Sequence, residues 1–344
     1  MSGESGCRAG VETEAPEAKL ADRLRSADLR ERMALDLRGA SLAQADLSNL
    51  DLSGLDLSEA ELQGADLSGT RLMGTTLRGA ILREARLERA ELLGADLADA
   101  DLTGCRAEGA GFGGADLTDA RLSDARLKGA SFSQARLGGV EMRCADLCEA
   151  RLLEADLSDA DLQRCDLRNA DLSNAHVGGA NFSHCDLRGA RFSELDGFET
   201  ARWISVDLRD ADLRGAVRIR RFILDENYLH EFRTGSKASA ALYKIWSLSS
   251  DCGRSFGRFG LWVALIVVLF GGLYGMVDVD YGDHATPLSP VYFSIVTLTT
   301  LGYGDAVPGS LGAQLVVMLE VVVGYLALGG LISIFANKMA RRAD

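Results

Sequence analysis

Ala60-Glu61-Leu62-Gln63-Gly64-Ala65-Asp66-Leu67-Ser68-Gly69 repeats itself after five residues: small, charged, leucine, then two glycine or polar positions. From Leu37 the chain returns to an apolar side chain at every fifth residue, through Leu42, Leu47, Leu52 and Leu57, as far as Leu187 and Phe192. The residue two before each is small, usually Ala, and the one between is usually charged, most often Asp. A period of five suits neither regular element. Five steps of about 100° leave a helix roughly 140° from its starting face, and an odd step moves a strand side chain to the opposite face. The period is consistent with a backbone that turns a corner in every repeat. Four repeats then close a square coil of 20 residues, with the apolar and small residues inward and the charged one outward. Stepping in fives from 37 to 192 gives 32 repeats, or eight coils. Stacked like parallel strands at ~4.8 Å, they make a rod of roughly 38 Å.

Two cross-checks support a stacked, backbone-paired coil. Proline would break the pairing, and none lies between Pro16 and Pro287. Residues 20 apart fall on one face: Phe112 with Phe132, then Phe192 three coils on, and Cys165 with Cys185, Cys105 lying three coils earlier. The whole chain has 344 residues, 37 basic and 50 acidic, for a formal net charge of −13. The length suggests about two domains. The shortage of Lys and Arg argues against nucleic acid as a partner, and 47% hydrophobic residues exclude a disordered chain. The start, Met1-Ser2-Gly3-Glu4, has no basic patch before an apolar run, so no signal peptide is visible. Seven cysteines without a CxxC pair read as reduced cytosolic thiols.

The five-residue pattern resembles the pentapeptide-repeat family, which implies a right-handed quadrilateral β-helix. The register slips by one after Phe192, at Asp196-Gly197, and recovers at Val206-Asp207-Leu208 and Ala211-Asp212-Leu213, which reads as the end of the solenoid. Some members of the family mimic DNA, which needs an acidic stripe. One outward face runs Asp46, Asp66, Arg86, Arg106, Arg126, Asp146, Asp166, Asp186, so three arginines interrupt it and a solvated, charge-mixed surface is expected. Cys165 and Cys185 fall one coil apart, within disulfide reach. In a reducing compartment they are read as small buried residues in place of Ala.

Beyond residue 217 the composition changes. Phe256 to Val277 is apolar apart from Arg258, and Leu311 to Ala336 is interrupted only by Gln314, Glu320 and small polar residues. Each is long enough to span a ~30 Å hydrocarbon core. Lys237, Lys244, Arg254 and Arg258 precede or enter the first span, and Lys338, Arg341 and Arg342 follow the second. Between Phe259 and Asn337 there is no Lys or Arg, and the loop carries Asp278, Asp280, Asp283 and Asp305. The expectation is a multi-pass protein of the plasma (inner) membrane with both termini, and the solenoid, cytoplasmic.

Between the spans, Ser289 to Thr300 is a short apolar stretch suited to a half-membrane helix, and Thr300-Leu301-Gly302-Tyr303-Gly304-Asp305 follows at once. Irregular backbone at membrane depth is tolerated where it lines a cavity. Glycines at 302 and 304 permit geometries that turn successive carbonyls the same way, and four such strands give oxygen rings that replace the hydration shell of K⁺. The segment resembles the selectivity filter of potassium channels. Its frame looks like the bacterial two-transmembrane pore family over roughly residues 256 to 339. The resemblance implies a homotetramer whose Thr300, Leu301, Gly302 and Tyr303 bind potassium ions, with Gly304 continuing the path and Asp305 at its outer mouth. Leu301 departs from the more frequent Val. No cofactor beyond the ions is implied. Gly324 falls where the family's gating hinge sits. Glu320, the only acidic residue inside either span, precedes it by one turn and is expected to face the pore helix as a brace or proton sensor, if Tyr325, Leu328 and Ile332 line the cavity.

The spans lack a helix with Arg at every third position, so no voltage sensor of that type is expected, and no GxGxxG fingerprint follows the pore. Ser236 to Ser250 places Leu242, Ile245, Trp246 and Ser249 on one face beside Lys237 and Lys244, as in an interfacial helix lying on membrane lipid. A cap on the last coil is the other reading, better suited to Phe222 to Phe232. The expected segments are 1–34 polar or helical, 35–216 solenoid, 217–255 cap and interfacial linker, and 256–344 pore. The expected function is a potassium-selective channel whose solenoid modulates gating or binds an unknown protein partner. A membrane-tethered scaffold with a vestigial pore is the alternative. His176, His184, His230 and His284 show no nucleophile–base spacing, so an enzyme is not expected.

Overall fold

The structure, a computed structural model, describes residues 16–212, 217–252, 255–282 and 285–340. Residues 1–15, Leu213, Arg254, Asp283, His284, Arg341 and Arg342, and the Lys338 side chain, lie outside that description. The chain divides into two compact units, residues 1–228 and 229–344.

In the first unit the five-residue period closes into a four-sided coil. Parallel bridges join each outward residue to the one 20 further on, as in Asp46 to Asp66 and Asp66 to Arg86. Every fifth residue from Gly39 to Glu194 takes a φ between 53° and 74°, a left-handed corner. Four of the five amides in each repeat bond to backbone, in three directions. Leu62 N–H reaches forward to Ile81 O at 2.8 Å, Asp66 N–H reaches back to Ala45 O at 2.9 Å, and Ala65 N–H closes the turn on Leu62 O at 3.0 Å. The leucines of the five-residue series, from Leu42 to Leu187, point inward and are fully buried, each worth about 1.5–3 kcal/mol. Phe112 and Phe132 stack with ring centroids 4.8 Å apart.

The preference for Asp before the leucine has a local cause. Asp46, Asp56, Asp66, Asp101, Asp116 and Asp171 each accept, on one carboxylate oxygen, the backbone N–H and the hydroxyl of the Ser or Thr two residues on. The Asp-Leu-Ser/Thr pattern therefore satisfies an amide that the ladder leaves over. The small inward position tolerates a polar hydrogen on the same terms. Thr70 and Thr75 donate to Leu47 O and Leu52 O. The thiols of Cys165 and Cys185 donate to Met142 O and Leu162 O, both at 2.8 Å. Both cysteines are free, and burial pushes the Cys165 thiol well above its ordinary pKa.

The slip after Phe192 does not end the solenoid. Asn181 pairs with Arg202, Asp186 with Asp207 and Arg191 with Asp212, so one coil simply holds 21 residues. The extra residue sits in a bulge where Gly197 has φ 74° and a Cβ would lie 2.6 Å from Gly178 N. Thr200 Oγ1 accepts the Gly179 N–H that the bulge leaves over. Past it Trp203, fully buried, stacks on Phe182 at 4.5 Å.

A coil stack ends with unpaired backbone on both faces. At the start, α1 (Pro16–Ser26) and α2 (Leu29–Met33) cover the first coil with Leu24 and Ala21. There Arg25 Nε donates to Asp46 O and Arg32 Nη1 to Asp51 O. At the far end, α3 (Val217–Gly235) lays Ile219, Phe222 and Ile223 on the last coil. Its Glu226 and Asn227 side chains accept the Trp203 and Ser205 N–H groups. Arginines thus cap orphan carbonyls at one end, and side-chain oxygens cap orphan amides at the other.

The second unit contains α4 (Lys237–Ser250), α5 (Phe256–Tyr274), β1 (Val279–Asp280), α6 (Ser289–Leu298), β2 (Val307–Pro308) and α7 (Leu311–Ala340). Ser236 caps α4 through a reciprocal pair with Ser239. Leu242, Ile245 and Leu248 are exposed on α4, whereas Trp246 packs edge-on against Phe232. The helix α5 and the 311–336 stretch of α7 are long and apolar enough to cross a membrane. The β1–β2 pair joins the chain before α6 to the chain after the 300–305 segment, with Val279 opposite Pro308.

Residues 16–228 are expected to fold alone as a β-rich rod, and Leu127→Ala is expected to cost about 2–5 kcal/mol in urea denaturation. A helical far-UV spectrum would contradict the solenoid. The acid response has a definite sign. Hydrogen bonds from Ser48 and Ser58 lower the carboxyls of Asp46 and Asp56, and the Arg209 guanidinium holds Asp207 down at about 2. Carboxyls lowered by folding stabilise it above their unfolded value of about 3.9, and that contribution fades as the pH falls through the folded value. The rod's urea midpoint should therefore be level above about pH 5 and drop between about pH 4 and pH 2.

Candidate functional site

Seven of the ten residues of α6 are apolar or aromatic, with Pro290 in the first turn, where a missing N–H costs nothing. At 1.5 Å per residue the helix is about 15 Å long, half a hydrocarbon core. It ends in a Schellman motif: Leu301 N–H bonds Val296 O and Thr300 N–H bonds Thr297 O, both at 3.0 Å. Thr300 occupies the left-handed C′ position, φ 56°, where glycine is usual. Left-handed residues then alternate, Gly302 with φ 50° and Gly304 with φ 79°, while Leu301 and Tyr303 between them are not left-handed. Alternation of hand rotates successive peptides so that their carbonyls face one side. The negative end of the α6 dipole points toward the start of this segment. Leu301 and Tyr303 are exposed on the single chain.

Behind the segment, Tyr292 of α6 donates its hydroxyl to Asp305 Oδ2 at 2.8 Å, tying the far end of 300–305 back to the helix it leaves. Glu320 of α7 is fully buried. It accepts the Tyr274 hydroxyl of α5 on Oε2 and the Ser294 hydroxyl of α6 on Oε1, each at 2.5 Å. Tyr274 in turn packs edge-on against Phe293, 4.8 Å between centroids. Gly324 faces the end of α6: a Cβ there would overlap the Leu298 carbonyl oxygen and lie 3.2 Å from its carbon. Its glycine is therefore required by close approach in a continuous helix. Tyr325, Leu328 and Ile332 are exposed on the single chain.

Sequence reasoning did not find Tyr292, Tyr274 or Ser294. A carboxyl in an apolar span needs donors, and no Lys or Arg lies between Phe259 and Asn337, but the sequence does not say which of the hydroxyls and amides there reach it.

On the solenoid, the outward charges pair between neighbouring coils. Arg86 meets Asp66 at 3.0 Å, Arg136 meets Asp116 at 3.1 Å and Arg71 meets Asp51 at 2.9 Å. Such exposed pairs are worth about 0.2–1 kcal/mol each and leave a charge-mixed surface.

Two families match the chain in separate regions. The one described as pentapeptide repeats matches in 8 copies between residues 36 and 196, and the one described as ion channel matches residues 262–341. The chain thus joins a run of pentapeptide repeats to an ion-channel domain. The pore region is 32% identical over 81 residues to the rat voltage-gated potassium channel regulatory subunit KCNG2, covering 22% of this chain and 17% of that one. It is 30% identical over 97 residues to two-pore potassium channel 1 of Arabidopsis thaliana, covering 28% of this chain and 27% of that one. The chain therefore spans under a third of either relative. Among solved structures, the repeats are similar to HetL from the cyanobacterium Nostoc, at 31% identity over 54% of this chain and 93% of that one, with a TM-score of 0.31. The pentapeptide assignment rests on the repeat match itself, and the pore domain on the ion-channel match together with the two membrane-length helices.

Gly324→Ala tests the close approach. Overpacking of this kind costs about 1–3 kcal/mol, so the detergent-solubilised protein should melt at a lower temperature, whereas Gly329→Ala, with open space around its Cβ position, should not.

Proposed function

We propose that four copies of the chain surround a central axis and form a potassium-selective channel. The observation that carries this reading is the alternation of hand at Thr300, Gly302 and Gly304, directly after a half-membrane helix. Carbonyls turned to one side by that alternation, repeated fourfold, provide stacked oxygen rings for K⁺ along Thr300, Leu301, Gly302 and Tyr303. Gly304 carries the path outward and Asp305 marks the mouth. Leu301, where Val is more frequent, bears on fine selectivity and not on the ion class. Cyclic closure is a common solution for identical subunits.

The basic residues on the outer flanks of the two spans support placing both termini and the solenoid in the cytoplasm. The solenoid contributes no residue to the ion path and modulates opening. In the sequence it is joined to α5 only by α3 and α4, so a load on the coils reaches the pore through those helices.

Purified protein in liposomes should pass potassium in preference to sodium, with block by barium. Gly302→Ala should abolish that selectivity, because a side chain at φ 50° carries a strain of order 1 kcal/mol that a turn of the adjoining peptide, and with it of its carbonyl, would relieve. Protein without flux would favour a tethered scaffold with a vestigial pore. Removing residues 1–216 should leave potassium-selective current with an altered open probability. Loss of selectivity in an assembly of unchanged stoichiometry would refute the division of labour.

A further inference from the structure

Glu320 is the one acidic side chain in either span, and it joins three helices at a single point. Tyr274 comes from the end of α5, Ser294 from the middle of α6 and the carboxyl from α7; all three residues are at most 1% exposed. Both carboxyl oxygens accept a hydroxyl. Four residues further along each helix, Gly324 meets the Leu298 carbonyl, so α6 lies on α7 through two contacts one turn apart. The second contact is at the residue where α6 ends. Thr300 and Leu301 hang on that end through their bonds to Thr297 O and Val296 O.

We propose that Tyr274, Ser294 and Glu320 form a membrane-buried clamp that positions α6, and through its C-terminal motif the 300–305 segment, for conduction. The proposal deepens the channel reading and rests on it. A carboxyl withdrawn from water into an apolar setting is costly unless its partners are in place. The clamp therefore has two discrete states, closed with both hydroxyls engaged or open with α6 released. Apolar residues of matching shape would hold three helices together as well or better. A carboxyl with two directed bonds instead fixes the position of α6 along and around its axis. Glu320 is thus a positioning residue that acts on the ion path through α6 and touches no ion itself.

The test uses the full chain in planar bilayers. Tyr274→Phe keeps the ring against Phe293 and removes one hydroxyl, Ser294→Ala removes the other, and Glu320→Gln keeps the shape. With assembly size unchanged, the first two should each speed the decay of potassium current during sustained opening roughly fivefold, the effect of losing one buried hydrogen bond. They should also lower the potassium-over-sodium permeability ratio. Raising external potassium should slow the decay, because occupied ion sites oppose collapse of the 300–305 segment. Glu320→Gln combined with Ser294→Ala should be no worse than the more severe single change, as expected of groups acting as one unit. Wild-type decay and permeability ratio in Tyr274→Phe, Ser294→Ala and Glu320→Gln would overturn the clamp while leaving the channel reading intact. So would a change confined to thermal stability. No potassium current from the wild type would overturn the channel reading, and the clamp with it.

Discussion

Every backbone amide and carbonyl withdrawn from water needs a partner, and both units of this chain are built around that requirement. The solenoid meets it between coils. A left-handed corner every fifth residue brings the chain back over itself after 20 residues, so each coil offers its neighbours amides and carbonyls in register. Many corner residues are not glycine, including Glu59, Arg89, Asp99 and His184. Each such residue carries a left-handed cost of order 1 kcal/mol, which the ladder bonds and a fully buried Leu or Phe in the same repeat offset. The same need for partners explains both ends. Arg25 and Arg32 donate where the first coil has spare carbonyls, and Glu226 and Asn227 accept where the last coil has spare amides.

In the second unit the helices satisfy their own backbone, which is why apolar helices can enter lipid at all. The exception is the 300–305 segment, and its geometry follows from how α6 stops. A Schellman ending forces Thr300 into the left-handed region, and the alternation of hand that begins there continues through Gly302 and Gly304. Under the proposed function, a cation takes the role that an amide plays everywhere else in the chain. The segment is anchored at both ends to the helix it leaves, by the bonds of Thr300 and Leu301 and by the Tyr292–Asp305 hydrogen bond.

Small residues and hydroxyls set how closely α6 fits its neighbours. Gly324 lets α7 reach the Leu298 carbonyl. Gly271 similarly lets α5 reach Val291, whose side chain would lie only 3.0 Å from a Cβ at that position. Burial of Glu320 between them sets the rotation of α7, because its carboxyl oxygens must meet hydroxyls from two different helices.

The sequence by itself determined the coil, its 20-residue circuit and the two membrane-length helices. All three follow from periodicity or from long apolar runs, which are local properties of the chain. The stacking of Phe112 on Phe132 was legible for the same reason, since a strict repeat converts spacing into position. Past the slip at Asp196-Gly197 that conversion failed. The recovery at Val206-Asp207-Leu208 was readable, but only the three-dimensional structure decided how the coil takes up the extra residue, through contacts of Gly197, Thr200 and Trp203 with Gly178, Gly179 and Phe182 from the previous coil. The order Thr-Leu-Gly-Tyr-Gly-Asp was likewise readable, but the partners of Asp305 and Glu320 were not. Tyr292, Tyr274 and Ser294 carry no periodic or motif signal: Tyr292 meets Asp305 across the turn that follows α6, and Tyr274 and Ser294 meet Glu320 only where α5, α6 and α7 pack. For Glu320 the packing of those three helices made the decision, by leaving the Tyr274 and Ser294 hydroxyls as the donors within reach of a carboxyl shut off from water.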